Sequence, residues 1–192
     1  MKNRSVIIIL FFVMAAVQWL IPINMIWDSE RTLASGREYK FRLAPVDPED
    51  PFRGRYLNLD FDISRVTVAT PPYWEEGEKV FVVLEQDEEG FARINRLAKN
   101  KPSGEEDYIK SMVRSAYGED SLMVFIEYPL DRYYINEKMA DPIQEMLDAN
   151  QLDSTKVNYA LVRVRAGGAV LEEVYLDEVP VSEWIRRERT GE

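Results

Sequence analysis

Apolar residues along this chain first run together and then alternate. From Val6 to Trp27 the only polar side chains are Gln18 and Asn24. These 22 residues would reach about 33 Å as a helix, enough to cross a bilayer core of about 30 Å. Beyond them the period falls to two. Glu38 to Leu43 and Leu57 to Phe61 alternate polar with apolar positions, so each reads as a strand with one buried face. Lys79 to Glu85 and Phe91 to Leu97 bracket Asp87-Glu88-Glu89-Gly90, a hairpin with glycine where the turn needs positive φ. Leu122 to Tyr128 is a continuous apolar strand, and Val157 to Val164 meets Ala169 to Leu176 at Ala166-Gly167-Gly168, a second hairpin. Between them Asp141 can cap a helix with Pro142 at its first position and Gln144 at the reciprocal capping position; Ile143, Met146 and Leu147 share one face. The pattern predicts an α+β, β-rich domain: a mostly antiparallel sheet, as a sandwich or partly open barrel, with one short covering helix, preceded by a single N-terminal transmembrane helix.

Charge orients that helix. Lys2 and Arg4 precede the apolar run, and Asp28 and Glu30 follow it, so the positive-inside rule puts the N-terminus in the cytoplasm and the rest outside it. The expectation is a single-pass protein of the cell (inner) membrane. Cleavage after Val13-Met14-Ala15, as in a signal peptide, would leave an apolar region of fewer than about ten residues, whereas the hydrophobicity continues well past it. The organisation expected is a cytoplasmic N-terminus and anchor over residues 1–27, an extracytoplasmic β-rich domain over 28–182, and a charged, solvated tail over 183–192. The polar loop Asn100-Lys101-Pro102-Ser103-Gly104 divides the strand set but leaves too few strands on either side for two domains.

Without Lys2 and Arg4 the formal charge of −10 becomes −12. A net field of that sign disfavours nucleic acid, so no nucleic-acid partner is expected. The chain has neither histidine nor cysteine, which removes tetrahedral zinc sites, disulfides, thiol nucleophiles and any triad with an imidazole base. No cofactor, no metal and no catalytic residue is expected. Asp47, Glu49 and Asp50, like Asp87-Glu88-Glu89, offer oxygen ligands, but neither group has the spacing of a twelve-residue calcium loop.

One loop carries more chemistry than a strand connection needs. In Asp47-Pro48-Glu49-Asp50-Pro51 each proline fixes its own φ and biases the preceding aspartate away from helix, while the carboxylates can accept backbone N–H groups. Phe52-Arg53-Gly54-Arg55-Tyr56 follows. Gly54 can take a backbone conformation closed to other residues, and Arg53 and Arg55 are planar donors suited to carboxylates, either those of the loop or those of a partner. Asp47, Asp50, Arg53, Gly54, Arg55 and Tyr56 are therefore the candidate interaction loop. Tyr134 and Glu137 form a secondary candidate.

These residues carry a resemblance to a known family. The N-terminal anchor, Asp47-Pro48-x-Asp50-Pro51-Phe52-Arg53-Gly54, the strand after it, Tyr133-Tyr134-Ile135-Asn136-Glu137 and the Gly167-Gly168 hairpin resemble the membrane-anchored GDYXXLXY proteins of bacteria over essentially the whole chain. Gly54-Arg55-Tyr56 stands where the motif has Gly-Asp-Tyr, and Leu59-Asp60-Phe61 where it has Leu-x-Tyr. Arg55 reverses the charge of the motif's acidic position, which argues against a metal ligand or general acid there. Phe61 keeps the ring and loses the phenol, as expected of a position that packs.

The resemblance implies a companion of polytopic membrane proteins. The function expected is a membrane-anchored, extracytoplasmic interaction or accessory module that partners a polytopic membrane protein. The alternative is a carboxylate-dependent envelope hydrolase or small-ligand-binding domain, for which Asp47, Asp50 and Glu137 would have to meet in one pocket.

Overall fold

The computed structural model describes residues 2–44, 56–69, 73–118, 121–130, 132–134, 142–143, 145–147, 149–150 and 156–190. Helix α1 (Lys2–Ser35) leads directly into strand β1 (Arg37–Ala44). It runs beyond the apolar segment because Asp28 to Ser35 contains no glycine or proline, and it stops at Gly36. From Val6 to Arg31 the helix is exposed save at Ala15, which is half-buried, but Thr32 in its last turn is buried. The folded domain thus begins inside the helix and not after a linker.

The remaining strands are β2 (Tyr56–Asn58), β3 (Asp60–Phe61), β4 (Arg65–Ala69), β5 (Lys79–Gln86), β6 (Ala92–Ala98), β7 (Tyr108–Tyr117), β8 (Ser121–Glu127), β9 (Arg132–Tyr134), β10 (Asn158–Arg165), β11 (Gly168–Leu176) and β12 (Val179–Pro180). They form one five-stranded sheet in the order β12-β11-β10-β1-β3, a second in the order β4-β8-β7-β5-β6, and a two-stranded ribbon of β2 with β9. All the named pairings are antiparallel. The two larger sheets are joined at their rims by hairpin turns: Lys40 N donates to Gly90 O at 3.2 Å and Lys110 N to Gly167 O at 3.0 Å. The result is a partly closed barrel.

Both hairpins follow their turn chemistry. Gly90 and Gly167 have φ of +84° and +88°, and Asp87 Oδ1 accepts from the backbone N–H of Glu89 and Phe91. Alternation then decides the core. Tyr39, Phe41 and Leu43 of β1 and Ala160, Val162 and Val164 of β10 face Val80 and Val82 of β5, Ile109 and Val113 of β7, and Leu122, Val124 and Ile126 of β8. At the centre, the rings of Phe41, Phe61 and Tyr128 meet edge to face, with centroids 5.4 to 6.2 Å apart. Tyr128 Oη donates to Ile63 O at 3.1 Å, which satisfies the only polar group this trio buries.

Residues 142–143, 145–147 and 149–150 are helical and constitute α2; Ile143 and Leu147 are buried and Met146 packs beside them, as the one-sided apolar pattern requires. The proposed capping residues Asp141 and Gln144 lie outside the described residues.

One expectation changes. Leu57 to Phe61 is not one strand: it breaks at Leu59, so that β2 pairs with β9 while β3 pairs with β1. Asp60 Oδ1 accepts from Phe61 N at this step, a local bond that competes with the ladder. At the C-terminus, α3 (Val181–Thr190) buries Val181 and packs Ile185, one turn later, on the core.

The aromatic trio sets the stability of the domain. Phe41→Ala should destabilise it by about 3–5 kcal/mol, read from urea unfolding, because a fully buried ring is deleted where three rings lock together.

Candidate functional site

The sequence places the candidate loop between β1 and β2, and both flanks are held. At the near flank Leu43 and Ala44 pair with Phe61 and Asp60. At the far flank Tyr56 pairs with Tyr134, Leu57 with Tyr133 and Asn58 with Arg132. Tyr56 and Tyr134, distant in sequence, are therefore cross-strand neighbours on the backbone ladder. Asp47, Asp50, Arg53, Gly54 and Arg55 lie outside the described residues, as does Glu137. The ribbon brings together the two segments that the sequence analysis named separately.

Adjacent side chains on the ribbon have different surroundings. Tyr134 is exposed, whereas Tyr133 is half-buried and donates from Oη to Glu173 Oε1 at 2.7 Å. Glu173 Oε1 also accepts from Val174 N at 3.0 Å. This carboxylate thus ties the ribbon to β11. Burial first, and then the Glu173 carboxylate, push the Tyr133 phenol well above its ordinary range.

A carboxylate that the sequence analysis did not name lies just beyond the loop's return. Asp62 follows β3, and burial raises its pKa against the opposing pull of Arg42 and Arg65, with Asp60 adding to the rise. Its side chain remains exposed to solvent. Among the described residues, however, no three potential ligands cluster for a metal ion. The signal was tertiary, since Arg42 and Arg65 belong to β1 and β4.

A groove of about 380 Å³ lies elsewhere, on the second sheet, lined by Lys79, Phe81, Lys110, Met112 and Glu127 among others. It contains none of the residues singled out from sequence. Cross-strand register explains it: Lys79, Met112 and Glu127 form one row across β5, β7 and β8, and Phe81 with Lys110 the next.

The family model for GDYXXLXY proteins matches residues 18–174. The chain belongs to the GDYXXLXY protein family. The family's motif falls on the return from the loop into β2 and β3: Gly54, Tyr56 and Leu59 match it, while Arg55 and Phe61 depart from it. Leu59 and Phe61 are both buried, and Phe61 sits edge-on to Phe41 and Tyr128. The ring at position 61 therefore packs, as its retention without the phenol implied. No curated protein and no solved structure matches the chain.

The phenols give this region a specific pH dependence. Tyr39, Tyr128 and Tyr133 all have pKa values raised chiefly by burial, so the unfolded chain loses these protons first. Their contribution is fully present below about pH 10 and falls as pH rises above it. Urea unfolding on either side of that pH should show the loss. Tyr133→Phe should cost about 1–3 kcal/mol at neutral pH and make the alkaline fall shallower.

Proposed function

We propose that this protein is a single-pass, membrane-anchored accessory module whose β-rich domain lies outside the cytoplasm and docks on a polytopic membrane protein. The N-terminus is cytoplasmic in this reading, since Lys2 and Arg4 precede the apolar segment and Asp28 and Glu30 follow it. Support for an anchor comes from α1, whose apolar stretch is uncovered by the rest of the chain.

The observation that carries the docking role is the outer face of the second sheet. Met112, Met123 and Tyr117 are exposed there. Tyr117 is directly opposite Met123, and its ring meets that of Phe125 at 6.0 Å. Cross-strand partners share a face, so Tyr117, Met123 and Phe125 make one apolar patch on a strongly acidic domain, while Met112 stands apart between Lys79 and Glu127. Exposed methionines suit a surface that must fit against another protein, because the thioether chain adapts its shape. The loop of Asp47, Asp50, Arg53, Gly54, Arg55 and Tyr56, with Tyr134 and Glu137, supplies a second, polar contact in the same reading.

The test is photocrosslinking in intact membranes with the reactive residue at Met123, at Arg55 or, as a control, at Glu88 in the exposed β5–β6 turn. Positions 123 and 55 should both yield an adduct with the same multi-span membrane protein, and position 88 should not. Equal labelling from all three positions, or none from 123, contradicts the docking role.

A further inference from the structure

The way α1 joins the domain fixes which part of the domain meets the lipid, provided that α1 is the anchor proposed above. Trp27 is the last residue of the apolar segment, and its ring lies 5.1 Å from the Arg31 guanidinium. Thr32 is five residues further on, or about 7.5 Å along the helix. The headgroup layer on each side of a bilayer is about 5–8 Å thick, so Thr32 lies at its outer limit. Asp28 to Arg31 are exposed, and burial against the domain begins at Thr32.

The element that covers Thr32 is the start of β11. A side-chain carbon at Gly168 would stand 3.7 Å from Thr32 Oγ1. The β10–β11 turn, Arg165 to Gly168, is therefore level with Thr32. Gly167 presses this turn on β7: a Cβ there would meet Tyr108 Cε2 at 2.5 Å and Lys110 Cε at 2.9 Å. The Lys110 stem thus lies along the turn, and its ammonium is free to reach beyond it.

The charges at this end fall into two groups. Arg37 pairs with Asp107 at 3.4 Å, and Arg163 with Glu38 and Glu172. Arg165, Lys110 and Lys79 are exposed and have no carboxylate partner among the described residues. Lys79 and Lys110 are diagonal neighbours across β5 and β7, about 7–8 Å apart at the backbone, on the rim of the groove whose opposite side carries Glu127. Asp28 and Glu30 share the level of the turn but project from α1 and not from the domain. Unpaired cations at the membrane end of an otherwise acidic domain are placed to meet anionic groups.

We propose that the β10–β11 turn lies in the lipid headgroup layer and that Arg165 and Lys110, with Lys79 behind them, bind the phosphates of anionic lipids. This contact would hold the domain upright against a surface that its net charge repels.

The absence of cysteine makes the test direct. Ala166→Cys, exposed at the tip of the turn, carries a fluorophore in the full-length protein reconstituted in phosphatidylcholine vesicles. A trace of headgroup-spin-labelled lipid, anionic or zwitterionic, serves as quencher. Quenching by the anionic probe should exceed that by the zwitterionic probe at least twofold, and the excess should vanish when Arg165→Glu and Lys110→Glu are added. Equal quenching by both probes overturns the anionic site. No quenching by either, in protein that resists carbonate extraction, overturns the placement of the turn while leaving the anchor standing. Extraction by carbonate overturns the anchor and this inference with it.

Discussion

The last turn of α1 is closed over by the sheet that follows it, and much of the molecule's geometry depends on that closure. Gly36 N donates to Thr32 O at 2.8 Å, and a side chain at position 36 would run into that same carbonyl and crowd Arg163 Cβ at 3.2 Å. Thr32 is buried, and its own hydroxyl donates back to Asp28 O at 2.8 Å. Nothing between helix and strand can act as a free linker. Where an anchor and a domain are joined by a flexible segment, the domain samples many attitudes; here the helix axis dictates the attitude of β1 and of the sheet built on it.

That sheet in turn positions the rest through its rims. The β10–β11 and β5–β6 turns do not merely reverse the chain. Each bonds to a strand of the opposite sheet, Gly167 to Lys110 and Gly90 to Lys40, and only residues that tolerate positive φ can present their carbonyls this way. The barrel closes at these points around the rings of Phe41, Phe61 and Tyr128, and the family's motif contributes one of those rings. The motif therefore has a structural meaning: its apolar positions connect the return of the candidate loop to the centre of the core.

Much of this was legible in the pattern of residues. The long apolar helix, the β1, β5, β6, β8, β10 and β11 strands, both glycine turns and the apolar face of α2 follow from local chemistry. β7 was less legible because a register shift between Val113 and Ser115 puts its inward residues at 109, 111, 113 and 116, which breaks the period of two. α3 was hidden because Val181, Trp184 and Ile185 lead at once into a run of charges. In the candidate site, the adjacency of Tyr56 and Tyr134 and the raised pKa of Asp62 depend on contacts between distant segments, which no local pattern encodes. The groove lined by Lys79, Lys110 and Glu127 has the same origin.

The rigid joint between α1 and the domain is best tested by a distance. Because the chain lacks cysteine, spin labels can be placed at Glu30→Cys on the exposed face of α1 and at Glu88→Cys in the β5–β6 turn, in the full-length protein in lipid nanodiscs. Pulsed dipolar spectroscopy should give one narrow distance distribution, no wider than that of two labels placed within the second sheet. A broad or multiple distribution would mean that the chain pivots at Gly36, and would contradict the account.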